Sequence, residues 1–448
     1  MYLVHTAFSP YRMEPVVARK NPMGRERRGS TRRAPMDRVE IRAKATEVLS
    51  RSLRVPVRSR ASPRSQTAPP RVARDLTRTR QGGHIPGVSA KRSLPMCESR
   101  IATHQAVPAR PDGFGSPSVP ALTDGRGRVY TYLRLSLTDR CNLACVYCMP
   151  PGGEPEHALR PELLSFEEAV RLVSVFVAGG VRRVRFTGGE PLVRRDVVRL
   201  VEMVRRATPV DELVMTTNAV RLPELAKPLA DAGLNGVNLS IDSLDPDRFR
   251  EITRGGELAP VIAGTRAAID AGLEVKLNIV ALGGVNEDEV GRLVDWAWSL
   301  GITPRFIELM PIGEASALPK ERFTSAARIV DLLGARVAHT EKTSDEGRGP
   351  ARYLRAANGA GRVGFITAVS DEFCASCNRV RVSAKGDLRA CLADRRAVSL
   401  RDLMREGASD LDLAWAIRWA LGTKGEGHAF DDARVDEHEH VGMSLIGG

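Results

Sequence analysis

The sequence predicts an α/β fold: an open, three-quarter (β/α)6 barrel, with a disordered N-terminal extension before it and a cysteine-bearing C-terminal region over its mouth. Three observations carry this expectation. From about residue 127, short β-branched runs alternate six times with amphipathic stretches that end in Gly, joined by short connections. Such alternation builds a parallel sheet with helices outside. Six units are two short of a closed eight-stranded barrel, so the sheet should stay open. The unusual residues then fall at the C-terminal ends of the strands, the rim where parallel α/β barrels gather chemistry.

The chain divides into residues 1–125, 126–335 and 336–448. Residues 1–100 hold 23 Lys+Arg against 7 Asp+Glu, whereas the other 348 hold 44 against 47. The net charge of +13 therefore lies in a Pro/Ser/Arg-rich leader without apolar periodicity, which reads as disordered. A transit peptide, weak polyanion binding and an upstream extension of the reading frame, with Met96 near the true start, all fit this composition. The reading-frame extension is favoured, and no specific nucleic-acid partner is implied. No run of about 18 apolar residues occurs, so no membrane-spanning helix is expected. With 42% hydrophobic content, 448 residues suffice for one large core.

The barrel region opens with strand LRLSL (133–137). Ser165 and Glu168 form a capping box for a helix that stops at Gly179-Gly180. VRRVRF (181–186) is the second strand and ends in Thr187-Gly188-Gly189-Glu190-Pro191. A helix from about Asp196 leads to strand three, ELVMT (212–216). Helix 222–232 precedes strand four, GVNLSI (236–241), which ends in Asp242. Helix 260–271 precedes strand five (274–282), and helix 286–300 precedes strand six (302–310). A last helix is capped by Gly334.

Six of the seven cysteines form two groups of three, and Cys97 is left as a plain thiol. Cys141, Cys145 and Cys148 make C-x3-C-x2-C directly after strand one. Cys374 and Cys377 make C-x2-C, and Cys391 follows after thirteen intervening residues. Three thiolates are too few for a closed zinc site or an ordinary electron-transfer 4Fe–4S cluster, each of which takes four protein ligands. A cubane held by three leaves one iron open to a small molecule. Disulfides, and zinc held by the second group with a histidine, are the competing readings. Arg379 and Arg381 stand two apart in a probable strand, so both side chains leave one face, and paired guanidiniums suit phosphate.

A C-x3-C-x-aromatic-C run followed by GGEP resembles the signature of the radical S-adenosylmethionine (SAM) enzymes, with Tyr147 at the aromatic position. The finer pattern is similar to the GTP 3′,8-cyclases over roughly residues 128–448. It rests on LRLSLTDRCNLACVYC, RFTGGEPLVRRD, TTN, NLSIDSL, RFIELMPIG, CASCNRVRV with Cys391, and the terminal Gly447-Gly448.

The resemblance implies a 4Fe–4S cluster on Cys141, Cys145 and Cys148, with SAM contacted by Tyr147, Gly189, Ser240 and Met310. It implies a second 4Fe–4S cluster on Cys374, Cys377 and Cys391, and GTP contacted by Arg134, Arg185, Thr216, Lys276, Arg379, Val380 and Arg381. Arg379, Arg381, Gly447 and Gly448 would take part in catalysis. The implied reaction is a lyase step in molybdenum cofactor biosynthesis, started by a 5′-deoxyadenosyl radical. Flavodoxin or ferredoxin would supply electrons, a cyclic pyranopterin monophosphate synthase would take the product, and a homodimer is an allowed assembly. The location would be cytoplasmic, or an organellar matrix if the leader is a transit peptide. A peptide-modifying radical SAM enzyme is the alternative, and a non-catalytic iron–sulfur or zinc scaffold is the other class; neither accounts for the Gly-Gly end or the paired arginines.

Overall fold

The computed structural model describes residues 103–115, 118–152, 157–338, 343–344, 349–359, 361–428, 430 and 442–446. Residues 1–102 of the extension, Cys97 and the Gly447-Gly448 end lie outside them. The part of the extension at 103–115 and 118–125, expected to be disordered, is instead folded onto the barrel: Thr103–His104 pair with Arg396–Ala397, and Leu122 is buried in the core.

Alternation of apolar and polar residues does what the sequence requires. Strand β1 (Tyr132–Ser136) buries Leu133 and Leu135 among helices, while Tyr132 and Arg134 face the opposite way, into a cavity. Helix α1 (Phe166–Ala178) starts at Ser165, whose side chain accepts from the Glu168 N–H at 3.1 Å. Glu168 in turn accepts from the Ser165 N–H at 2.7 Å, completing the capping box. The units that follow are β2 (Arg183–Thr187), α2 (Val197–Ala207), β3 (Glu212–Thr217), α3 (Leu222–Asp231) and β4 (Gly236–Ser240).

Between β4 and β5 stand two helices, α4 (Pro246–Thr253) and α5 (Leu258–Asp270), where the sequence reading placed one. Asp245 caps α4 by accepting from the Asp247 and Arg248 N–H groups, and Pro246 fills the first helical position. Next come β5 (Glu274–Val280), α6 (Val290–Ser299), β6 (Thr303–Ile307) and α7 (Ala326–Leu333).

Strands β1 to β6 pair in sequence order, each parallel to the next. The sheet does not stop there. The C-terminal region supplies β7 (Arg352–Arg355), β8 (Arg362–Ile366), β9 (Arg379–Val382), β10 (Asp387–Arg389) and β11 (Arg396–Ser399). Strand β8 joins the β6 edge and β9 the β1 edge, both parallel. Eight parallel strands therefore run side by side, and antiparallel β7 and β10 flank them. The expected open barrel is present, and residues beyond 336 extend it at both edges. Helices α8 (Leu400–Arg405) and α9 (Asp410–Gly422) follow, and α9 packs against α1.

Candidate active site

The C-terminal strand ends open into one cavity that both cysteine groups line. Arg134, Tyr147, Arg185, Gly189, Thr216, Ser240, Met310, Arg379 and Arg381 line it too. Lys276 and Val380 do not. Lys276 pairs with Glu274 at 3.0 Å, and Val380 packs into the apolar core. All six cysteines of the two groups are free thiols.

The first group is set by contact between two loops. The Gly189 N–H donates to Thr138 O at 2.7 Å and the Glu190 N–H to Arg140 O at 2.8 Å, clamping GGEP onto the segment before Cys141. A Cβ at residue 189 would stand 2.4 Å from Arg140 O, and one at 188 would stand 2.5 Å from Thr138 O. Glycine is thus demanded here by the chain itself, before any ligand arrives. Glu190, nearly fully buried, accepts from Thr217 Oγ1 at 2.8 Å, the Asn218 N–H at 2.7 Å and the Leu192 N–H at 3.0 Å. It ties the end of β2 to the end of β3. Burial outweighs those donors and pushes its carboxyl up to about 7.

Tyr147 donates to Asp242 Oδ2 at 2.6 Å, and Asp242 Oδ1 accepts from the Val280 N–H at 2.8 Å. Burial pushes Asp242 up to about 6. Burial also pushes Cys141 up to about 11 and Cys145 well above a free thiol, where Cys148 and Asp242 add to it. Partly buried thiols whose affinity for a proton is raised beside carboxylates become thiolates when a cationic centre compensates them. The donor set therefore fits an iron–sulfur cluster.

In the second group the thiols differ: burial, with Cys391 and Glu372 nearby, raises Cys374, whereas Cys377 faces cations. Cys377 Sγ accepts from Lys424 Nζ at 3.3 Å and from Arg379 Nη2 at 3.8 Å. Burial would raise this thiol, but Arg379 and Lys424 draw it down to about 6. The ligating atoms of Glu372, Cys374 and His428 lie within 4.8 Å of one another, and His428 Nε2 bonds Ala368 O at 2.6 Å. This group also fits a metal centre.

A row of arginines runs across the cavity wall. Arg381, Arg134 and Arg185, which line the cavity, are register partners on neighbouring strands β9, β1 and β2, and Arg389 on β10 continues the row outside the lining. Strand spacing puts neighbouring Cα atoms about 5 Å apart. Arg185 donates to Tyr132 Oη, to Met215 O at 3.2 Å and to Thr216 Oγ1 at 3.2 Å. Arg389 Nη1 donates to Asp394 O at 2.7 Å. Burial, and then Arg379, lower Arg381 to about 10, and burial with Arg381 takes Arg134 well below its usual value. Tyr132 is pulled down to about 7, because Arg185, Arg134 and Arg183 outweigh its burial. Buried like charges in register are costly without a counterion, so this wall suits a polyanion.

Sequence reasoning missed Tyr132, Arg305 and Lys424. Arg305, buried on β6, lines the cavity and donates to Asn278 Oδ1 at 2.6 Å. Its signal was an arginine between apolar residues in a strand. Lys424 follows α9 with no local pattern to mark it.

A profile of the radical SAM superfamily matches residues 135–297, and one of Molybdenum Cofactor Synthesis C matches residues 302–430. A GTP 3′,8-cyclase of Rhodopseudomonas palustris (strain TIE-1) is 45% identical over 332 residues, covering 73% of this chain and 96% of that one. A GTP 3′,8-cyclase of Heliobacterium modesticaldum (strain ATCC 51547 / Ice1) is 43% identical over 333 residues, covering 73% of this chain and all of that one. Among solved structures, Streptococcus suis SuiB bound to S-adenosylmethionine matches 66% of each chain at 15% identity, with a TM-score of 0.48.

Proposed function

The chain belongs to the GTP 3′,8-cyclase family of radical SAM enzymes, and from that membership we infer its reaction. It converts GTP to (8S)-3′,8-cyclo-7,8-dihydroguanosine 5′-triphosphate, the first step of molybdenum cofactor biosynthesis. The observation that carries this reading is one cavity lined by two three-cysteine groups and walled by a row of arginines.

Its cofactors are two 4Fe–4S clusters and SAM. We assign the first cluster to Cys141, Cys145 and Cys148 and the second to Cys374, Cys377 and Cys391. When bound, the first cluster and SAM would supply a 5′-deoxyadenosyl radical for removal of the ribose 3′ hydrogen of GTP, and closure of the resulting carbon radical on C8 of guanine would need one further electron, from the external donor, and one proton to give the dihydro product. The chain's own residues bind and orient. Asp242 fixes Tyr147, which with Gly189, Ser240 and Met310 holds SAM. Arg134, Arg185, Thr216, Arg379 and Arg381 take the triphosphate by charge-assisted hydrogen bonds. Lys276, ion-paired to Glu274, and Val380, packed in the core, stand behind the wall and support it. The enclosed wall keeps the radical from water and wrong partners.

An electron donor such as flavodoxin or ferredoxin, a downstream cyclic pyranopterin monophosphate synthase and a homodimer complete the proposal. Among the described residues no helix is long and apolar enough to cross a membrane. The cytoplasm fits six unpaired thiols, because it keeps them reduced.

The test uses GTP carrying deuterium at ribose C3′. Deuterium should appear in 5′-deoxyadenosine; label retained on the nucleotide while 5′-deoxyadenosine forms would sink the reading. Gly447 and Gly448 are assigned to catalysis. Met443, four residues before them, lines the cavity. Removing both glycines should spare GTP binding and abolish the cyclised product, and full product from the shortened chain would remove them from the site.

A further inference from the structure

Within the second cysteine group, Cys374 stands beside the Glu372 carboxylate, but Cys377 faces two cations, Arg379 and Lys424. Lys424 is 5% exposed. Its Nζ donates to Cys377 Sγ at 3.3 Å and to Arg379 O at 3.4 Å, and lies 4.8 Å from the centre of the Tyr130 ring.

The position is built. Arg128 donates to Gly425 O at 2.9 Å, to Lys424 O at 3.4 Å and to Cys374 O at 3.1 Å, and its Nε bonds Asp124 Oδ2 at 2.5 Å. Tyr130, the ring beneath the lysine, donates to the same Asp124 oxygen at 2.8 Å. One arginine thus ties the segment after α9 to the second cysteine group and aims the ammonium at a single sulfur. Around the first group the pattern differs. Cys141 Sγ meets neutral donors, the Leu143 N–H at 3.4 Å and Asn218 Nδ2 at 3.9 Å. The carboxylates Glu190 and Asp242 lie nearby, and a cation there, Arg254, is spent on the carbonyls of Ala144 and Met149 rather than on a sulfur among the described contacts.

We propose that Lys424 raises the reduction potential of the second cluster and sets it above that of the first. The inference rests on the cluster assignment given above. A reduced cluster carries one more negative charge, and a buried cation bonded to a ligating sulfur stabilises that form over the oxidised one. The effect is strong where water is excluded. Lys424 is a positioning and tuning residue; the structure gives it no reacting atom.

The test is potentiometric titration followed by electron paramagnetic resonance, on anaerobically reconstituted full-length enzyme without GTP. Iron is counted first, and about eight per chain confirms two cubanes. A count of about four would fail the cluster assignment instead, so the two failures are distinguishable. In the parent enzyme the second cluster should be reduced at the higher potential. Lys424→Met should lower the second midpoint and leave the first in place, while Lys424→Arg should stay close to the parent. An unchanged second midpoint in Lys424→Met, or equal shifts in both clusters, would overturn the proposal. If Lys424→Met fails to hold the second cluster, Lys424→Gln replaces it; the same fall is expected, and an unchanged midpoint refutes the role.

Discussion

Arg379 and Arg381 leave the same face of a four-residue strand, yet they are held differently. Arg379 stacks on the Phe373 ring at 4.7 Å and reaches Cys377, whereas Arg381 is buried with its Nε unpartnered among the described residues. Replacing either with Ala removes charge-assisted hydrogen bonds to phosphate worth roughly 1.5–3 kcal/mol. GTP affinity measured by calorimetry should fall about ten- to a hundredfold with the iron content unchanged. For Arg381→Ala the melting temperature of the nucleotide-free protein should not fall, because a buried cation beside Arg134 is removed. Unchanged GTP binding would make these arginines structural. Their importance was legible because they follow a C-x2-C motif directly. Arg305 and Lys424 were not legible, since in so Arg-rich a chain an isolated cation reads as solvated surface until burial is known.

At the scale of elements, the GGEP turn is the joint on which the first cysteine group depends. Gly189 has no room for a Cβ against Arg140 O, and the Arg140 carbonyl already accepts from the Glu190 N–H. Gly189→Ala should therefore displace the loop bearing Cys141 and cost the first cluster, while the second cluster, on separate strands, persists. Iron analysis should find about half the parent content. A Gly189→Ala protein with full iron would mean that the glycine serves ligand approach instead. Strand and helix order was readable because most helices here end in Gly or begin with a cap, as Ser165 and Glu168 do. Helix α4 was the exception. Its Asp245-Pro246 start is a clear capping signal, but it was absorbed into the connection before α5.

Across the whole molecule, what could not be read was how the C-terminal region extends the sheet at both edges. Strand β9 pairs with β1 across some 250 residues of chain, and β8 pairs with β6. Pairing at that range leaves no local periodicity, so six strand–helix units were visible and a strand at Arg379–Arg381 was expected, but not its place beside β1, and β8 was not seen at all. The arginine row has the same origin. Arg381, Arg134 and Arg185 are ordinary strand residues in sequence, and register alone makes them one anion-binding wall. The cysteine groups were legible from spacing, but their sharing of one cavity came from the fold. That shared cavity yields the most direct test of the central claim, that one chamber couples SAM cleavage to GTP. Reconstituted enzyme is mixed anaerobically with SAM and a strong reductant, with GTP, with ATP, with a peptide, or with no further substrate, and 5′-deoxyadenosine is measured. It should accumulate with GTP, together with the cyclised nucleotide, and stay near background in the other mixtures; equal accumulation without GTP, or accumulation with peptide alone, would contradict the account.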